Sequence, residues 1–181
     1  MPIAAINHLH DTEPRWFAVQ TRSKSEKFVQ RSLAKKDIHA YVPLQRLMRR
    51  YTRSTRIVEK PLINCYVFVR IVKKDYVPVL ETENVSGFIR FNKELIAIPE
   101  EEINVLRRIT LEAGLEVEAV PGVLHAGDPV EITAGSLTGL RGHIVRQEGR
   151  QRFQVELERL GYALLITIDS VFLSPLSART H

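Results

Sequence analysis

The residues of this chain best placed to do chemistry are its arginines. Arg46, Arg49, Arg50, Arg53 and Arg56 fall within eleven residues, and Arg22, Lys24 and Lys27 lie a short way upstream. A planar guanidinium fork donates paired hydrogen bonds to phosphate oxygens and base edges, so the chemistry on offer is capture of a polyanion. The charge distribution agrees. From Pro14 to Lys60 there are thirteen Lys/Arg against three Asp/Glu, a local balance of +10 in a chain whose net charge is +5. The remainder sums to −5, and residues 125–181 carry six charges of each sign. The asymmetry predicts one polyanion-facing surface in the N-terminal half, with a merely solvated basic face as the plainer alternative. Phosphate contacts would give affinity and salt dependence, and an unpaired base could stack on Tyr51.

Nothing comparable points to catalysis. The sequence has no Gly-rich phosphate loop, Ser-His-Asp signature, paired metal motif or nucleotide fingerprint. Cys65, the only cysteine, lies in an apolar stretch and reads as packing; no intrachain disulfide can form, which fits a reducing cytoplasm. His39, His125 and His143 are scattered, with no group for them to activate. His8, His10, Asp11 and Glu13 imitate a metal cluster, but a short polar terminus offers no ligands at a defined distance. The sequence thus predicts a non-enzyme without metal or cofactor. The longest strongly apolar run, Ala163 to Ile168, cannot span a bilayer, and Met1 to Pro14 lacks the layout of a signal peptide. A cytoplasmic monomer without membrane contact is expected.

The elements that must position these groups follow from periodicity and punctuation. Residues 1–13 read as a loose tail. Trp16 to Gln20 reads as a strand. Ser23 and Glu26 have capping-box spacing ahead of a helix from about Lys24 to Lys36, with Val29 and Leu33 on its apolar face. His39 to Pro43 predicts a strand. Arg46 to Lys60 predicts a long polar hairpin that turns at Thr52-Arg53-Ser54-Thr55. Cys65 to Ile71 is dense in β-branched and aromatic residues and predicts another strand. Tyr76 to Glu83 suits a short helix weakened by Pro78, and Phe88 to Phe91 a strand. Pro99 before Glu100, Glu101 and Glu102 marks a helix start, with Ile103, Leu106 and Ile109 as its buried stripe and Gly114 as its stop. Glu112 to Leu124 has little periodicity and reads as a linker. Five short strands follow, at Val130–Thr133, Gly142–Arg146, Phe153–Leu157, Ala163–Ile168 and Val171–Leu173, which predicts a small closed barrel.

Between the first two of these strands, Gly135, Gly139 and Gly142 crowd into eight residues. Glycine is cheapest where the backbone needs positive φ or a close approach, so this is a tight turn. The Gly127-Asp128 lead-in and this spacing resemble the KOW motif, a docking module of transcription elongation factors and some ribosomal proteins. Leu137 and Leu140 in the turn either form an exposed docking knob or close the end of the barrel.

Several segments in order then resemble the NusG family of transcription elongation factors over roughly residues 14 to 176. They are Trp16-Phe17-Ala18-Val19, the run Pro61-Leu62-Ile63-Asn64-Cys65-Tyr66-Val67-Phe68-Val69, the run Val85-Ser86-Gly87-Phe88-Ile89-Arg90-Phe91, and the KOW module. The resemblance implies an α+β fold: an NGN domain over 14–111, with an antiparallel sheet and flanking helices, a linker over 112–124, and a small SH3-like five-stranded KOW barrel over 125–178. The Phe-Ile-Arg-Phe run and the Pro-Leu lead-in look more like the specialised branch, RfaH and the UpxY-type antiterminators, than like housekeeping NusG. Two departures stand out. Ile63-Asn64-Cys65 replaces the family's Phe-Pro-Gly or Phe-Pro-Asn, and Asp75-Tyr76-Val77-Pro78 stands where RfaH has a His-Thr-Thr-Thr element.

Family membership would imply a role. The NGN domain would grip the clamp helices of the large RNA polymerase subunit through an apolar depression, and Ile63, Tyr66, Phe68, Phe88, Ile103 and Leu106 are its candidates by position. Core packing is the competing reading for each, because one face of a strand must cover the core. Arg22, Lys24, Lys27 and the hairpin arginines would lie along upstream or non-template DNA. The KOW domain, through Leu137, Leu140 and Arg141, would recruit a small-subunit ribosomal protein or the termination factor Rho. Its strand-favouring Ile166, Thr167, Ile168 and Val171 predict a barrel rather than the helical hairpin open to RfaH. The implied function is suppression of pausing or termination, at specific operons such as polysaccharide loci. A housekeeping elongation factor and a ribosome-associated or other RNA-binding KOW protein are the alternatives.

Overall fold

The computed structural model describes residues 6–124 and 127–176. Its elements run in the order β1 (Arg15–Thr21), α1 (Glu26–Ala34), β2 (His39–Tyr41), β3 (Leu44–Tyr51), β4 (Ser54–Pro61), β5 (Tyr66–Ile71), α2 (Tyr76–Leu80), β6 (Val85–Phe88), α3 (Glu100–Leu111), β7 (Val117–Pro121), β8 (Pro129–Ile132), β9 (Arg141–Gln147), β10 (Arg150–Leu157), β11 (Tyr162–Ile166) and β12 (Leu173–Pro175). This is the expected α+β class with antiparallel sheets. The chain divides into two compact units, one of residues 1–44 and 63–104, the other of residues 45–62 and 105–181.

The first unit is built on an antiparallel sheet of order β2-β5-β1-β6. Strand alternation gives that sheet two different faces. Phe17 and Val19 of β1 join Val67, Val69 and Ile71 of β5 in a core completed by Val29 and Leu33 of α1, Val79 of α2 and Leu95. The intervening residues Trp16, Ala18 and Phe68 point the other way and are also buried. There the Trp16 indole donates to the Glu100 carboxylate at 2.6 Å, which fixes the first turn of α3. The start of α1 differs from the expected capping box. The helix begins after Ser25, which makes no side-chain cap, and Ser23 lies in the preceding turn. Glu26 instead turns inward and accepts the Cys65 amide at 2.7 Å. Cys65 needs that partner because it lies outside β5 in a turn, with φ 62°. Phe91 likewise lies beyond β6 and forms an isolated bridge with Glu94.

The second unit holds the β3–β4 hairpin and a six-stranded antiparallel sheet of order β12-β8-β9-β10-β11-β7. The sixth strand corrects the linker reading, because β7 falls inside residues 112–124 and pairs with β11 from Val117↔Ile166 to Pro121↔Tyr162. As an edge strand it needs only one partner and carries a proline at its end, so its sequence shows little periodicity. The glycines in the β8–β9 turn and at the start of β9 have separate jobs. Gly135 and Gly139 adopt φ of 82° and 84°, whereas Gly142 lies where a Cβ would meet the Gln154 carbonyl oxygen at 2.2 Å. Gln154 is itself buried, and its amide pairs with both backbone groups of Leu124, accepting from N–H at 3.0 Å and donating to C=O at 3.4 Å.

Candidate functional site

The cationic surface is the plainest part of the site. Among the described residues strands β3 and β4 pair only with each other, so neither outer edge of the hairpin is joined to a third strand. Arg46, Arg49, Arg50, Arg53 and Arg56 are all exposed. Among them Arg46 has a charge partner, with its Nε 3.7 Å from a Glu59 carboxylate oxygen. The turn is tighter than the expected four residues, since only Thr52 and Arg53 separate the strands. Arg22 and Lys24 are exposed and Lys27 is half-buried; all three belong to the first unit, and the hairpin arginines to the second.

The six residues expected in one apolar depression are not brought together on one surface. Phe88 pairs with Val19, and Val19 with Val67, whereas Ala18 pairs with Phe68. Directly paired residues in an antiparallel ladder share a face. Phe88 therefore lies on the α1 side of the sheet, stacked on Tyr76 at 4.6 Å and edge-on to Phe17 at 6.3 Å. Tyr66 and Phe68 lie on the opposite face, where Tyr41 stands 6.3 Å from Phe68. Ile63, Phe68, Ile103 and Leu106 are fully buried, while Tyr66 and Phe88 are half-buried. Tyr41, half-buried beside Phe68, is a member of this face that sequence reasoning missed. Its signal was the period-two spacing from His39 on an edge strand too short to read.

In the second unit Leu137 and Leu140 are 5% and 6% exposed. This corrects the exposed knob in favour of a closed end. The turn that carries them is clasped by the C-terminal half of α3. Arg108 donates to the Ser136 and Thr138 carbonyls at 3.0 and 2.8 Å, and Ser136 Oγ donates to the Glu112 carboxylate. Arg141 is exposed and pairs with Glu131 across β8–β9 at 2.8 Å.

The remaining candidates for chemistry have structural duties. His8 Nδ1 accepts the Ala97 amide at 3.1 Å, and His10 Nδ1 the Glu13 amide at 2.9 Å. Glu13 is held below the usual carboxylate range by a hydrogen bond and charge attraction from Arg15. Among the described residues no three His, Cys, Asp or Glu side chains gather as metal ligands, and no helix is long and apolar enough to cross a membrane.

Comparison with known proteins gives three findings. A family model described as "Transcription termination factor nusG" matches residues 14–107. The structure of Thermotoga maritima NusG, solved to describe its domain interaction, is similar at a TM-score of 0.58 and 18% identity, over 91% of this chain and 98% of that one. An MjSpt4:Spt5 complex matches at 21% identity over 90% and 98% of the two chains, with a TM-score of 0.32. No curated protein matches the sequence.

Proposed function

Because this chain belongs to the NusG family of transcription factors, we propose that it rides on elongating RNA polymerase and suppresses pausing or termination. The match over residues 14–107 carries this reading. The polymerase-facing surface is the Tyr66 side of the first sheet. Tyr66 and Tyr41 border the buried Phe68 there, and an aromatic body with a polar tip suits an interface anchor. Its partner is an apolar helical tip such as the clamp helices of the large subunit. The hairpin arginines hold upstream or non-template DNA, and the second unit recruits a further protein, for which the family offers a ribosomal protein or Rho. Residues 14–111 act as the polymerase-binding part, and the second sheet, from β7 at Val117 onward, as the part that recruits a further protein. The Val85–Phe91 run supports the specialised branch, which acts at chosen operons rather than genome-wide, in the cytoplasm.

The test is binding of the full chain to purified RNA polymerase, with Tyr66→Ala compared with Phe88→Ala after both are shown folded by circular dichroism. Tyr66→Ala is expected to weaken binding tenfold or more, and Phe88→Ala less than threefold because it lies across the sheet. Absence of binding by the wild type would sink the reading. Occupancy confined to a few transcription units would identify the specialist, and genome-wide occupancy the housekeeping factor.

A further inference from the structure

The hairpin is not uniformly basic, and its two faces differ in a way that selects a ligand. A two-residue turn between Tyr51 and Ser54 sets the antiparallel register, and the Arg46–Glu59 ion pair at 3.7 Å agrees with it. In that register Met48 stands opposite Ile57 on the Arg46 face, and these are 76% and 70% exposed. The other face, one residue out of phase, sets Arg49 directly opposite Arg56, with Lys60 on the same side and Tyr51, 54% exposed, beside them. Like charges directly opposite across a ladder repel. Among the described residues no acidic side chain pairs with Arg49 or Arg56. The Arg46 face thus carries one compensated cation, the apolar pair and Arg50, whereas the Arg49 face carries three cations that have no acidic partner among the described residues and an aromatic ring, beside the half-buried Leu47 and Val58.

We propose that the Arg49–Tyr51–Arg56–Lys60 face is a single-stranded DNA platform and that the Met48–Ile57 face takes no part in DNA binding. This rests on the DNA contact proposed above and assigns it to one face and one form of DNA. Bound phosphates relieve the Arg49–Arg56 repulsion, and an unpaired base stacks on Tyr51. Every base presents a π-face, so such a platform tolerates sequence and favours single strands over duplex.

The test uses the full chain, a fluorescein-labelled 20-nucleotide single strand and the duplex of the same sequence, read by anisotropy at two salt concentrations. Arg49→Gln/Arg56→Gln and Arg46→Gln/Arg50→Gln remove the same charge from opposite faces. The first pair is expected to weaken single-strand binding at least tenfold and flatten the log–log salt slope by about 1.4, roughly 0.7 per lost phosphate contact. The second is expected to weaken it less than threefold. Tyr51→Leu should weaken the single strand about tenfold and the duplex less than twofold. Equal losses from the two arginine pairs would overturn the face assignment while leaving the DNA contact standing. Equal loss of single strand and duplex on Tyr51→Leu would overturn the stacking platform. A wild type that binds neither probe would remove the DNA contact itself.

Discussion

At the residue scale, Cys65 is a constrained position with an identifiable support. A non-glycine residue with φ of 62° carries roughly 1–2 kcal/mol of steric cost. Its turn persists because the buried Glu26 carboxylate accepts its amide. Glu26→Ala should lower unfolding free energy by about 2 kcal/mol, since it strands a charge-assisted partner, and Cys65→Gly should raise it by about 0.5 kcal/mol once the added freedom of the unfolded chain is deducted; urea titration reads both. The turn glycines give a second ordering. Gly142→Ala forces a methyl into the Gln154 carbonyl and the Phe153 ring and should cost about 3 kcal/mol. Gly135→Ala meets nothing within 4 Å and strains only φ, for about 1 kcal/mol. Comparable losses at the two sites would show that close approach is not the reason for a glycine at 142.

At the element scale, side chains that stand in for backbone hold the second unit's ends together. The buried Gln154 amide completes both hydrogen bonds of Leu124, beyond the reach of any strand pairing. Gln154→Leu would leave those groups without a protein partner, so a loss of about 2 kcal/mol and faster amide exchange at Leu124 are expected. Arg108 does the same for the β8–β9 turn, where it satisfies two carbonyls. Arg108→Ala should speed exchange across residues 135–140 while leaving β10 and β11 protected; unchanged exchange in the turn would show that the guanidinium braces nothing.

At the scale of the whole molecule, charge is the property that most governs behaviour. The +10 balance of residues 14–60 against −5 elsewhere makes that stretch the part of the chain to which a polyanion is drawn. With each of the three cations of the proposed platform on a phosphate of a single strand, the log–log slope of affinity against salt should be about −2, measured by anisotropy between 50 and 200 mM salt. A slope near zero would mean that the basic half is only solvated surface.

Features that depend on local order are legible in the residues alone. Tyr66 to Ile71 had to be a strand, Pro99 and its three glutamates had to start a helix, and the basic run had to form a hairpin, because propensity, caps and turn chemistry act over a few residues. The sequence also carried the family resemblance, which is a matter of residues in order. Which side each residue serves is set by long-range pairing and packing. Phe88 and Phe68 look equivalent as strand aromatics, and register alone placed them on opposite faces. Glu26 looked like a cap until the distant Cys65 amide claimed it, and β7 looked like a linker because the ladder that makes it a strand is supplied by β11, more than forty residues away. Leu137 and Leu140 could not be assigned to core or surface from a turn sequence, because burial is set by what packs over a residue, and that is settled by chain segments far off in sequence.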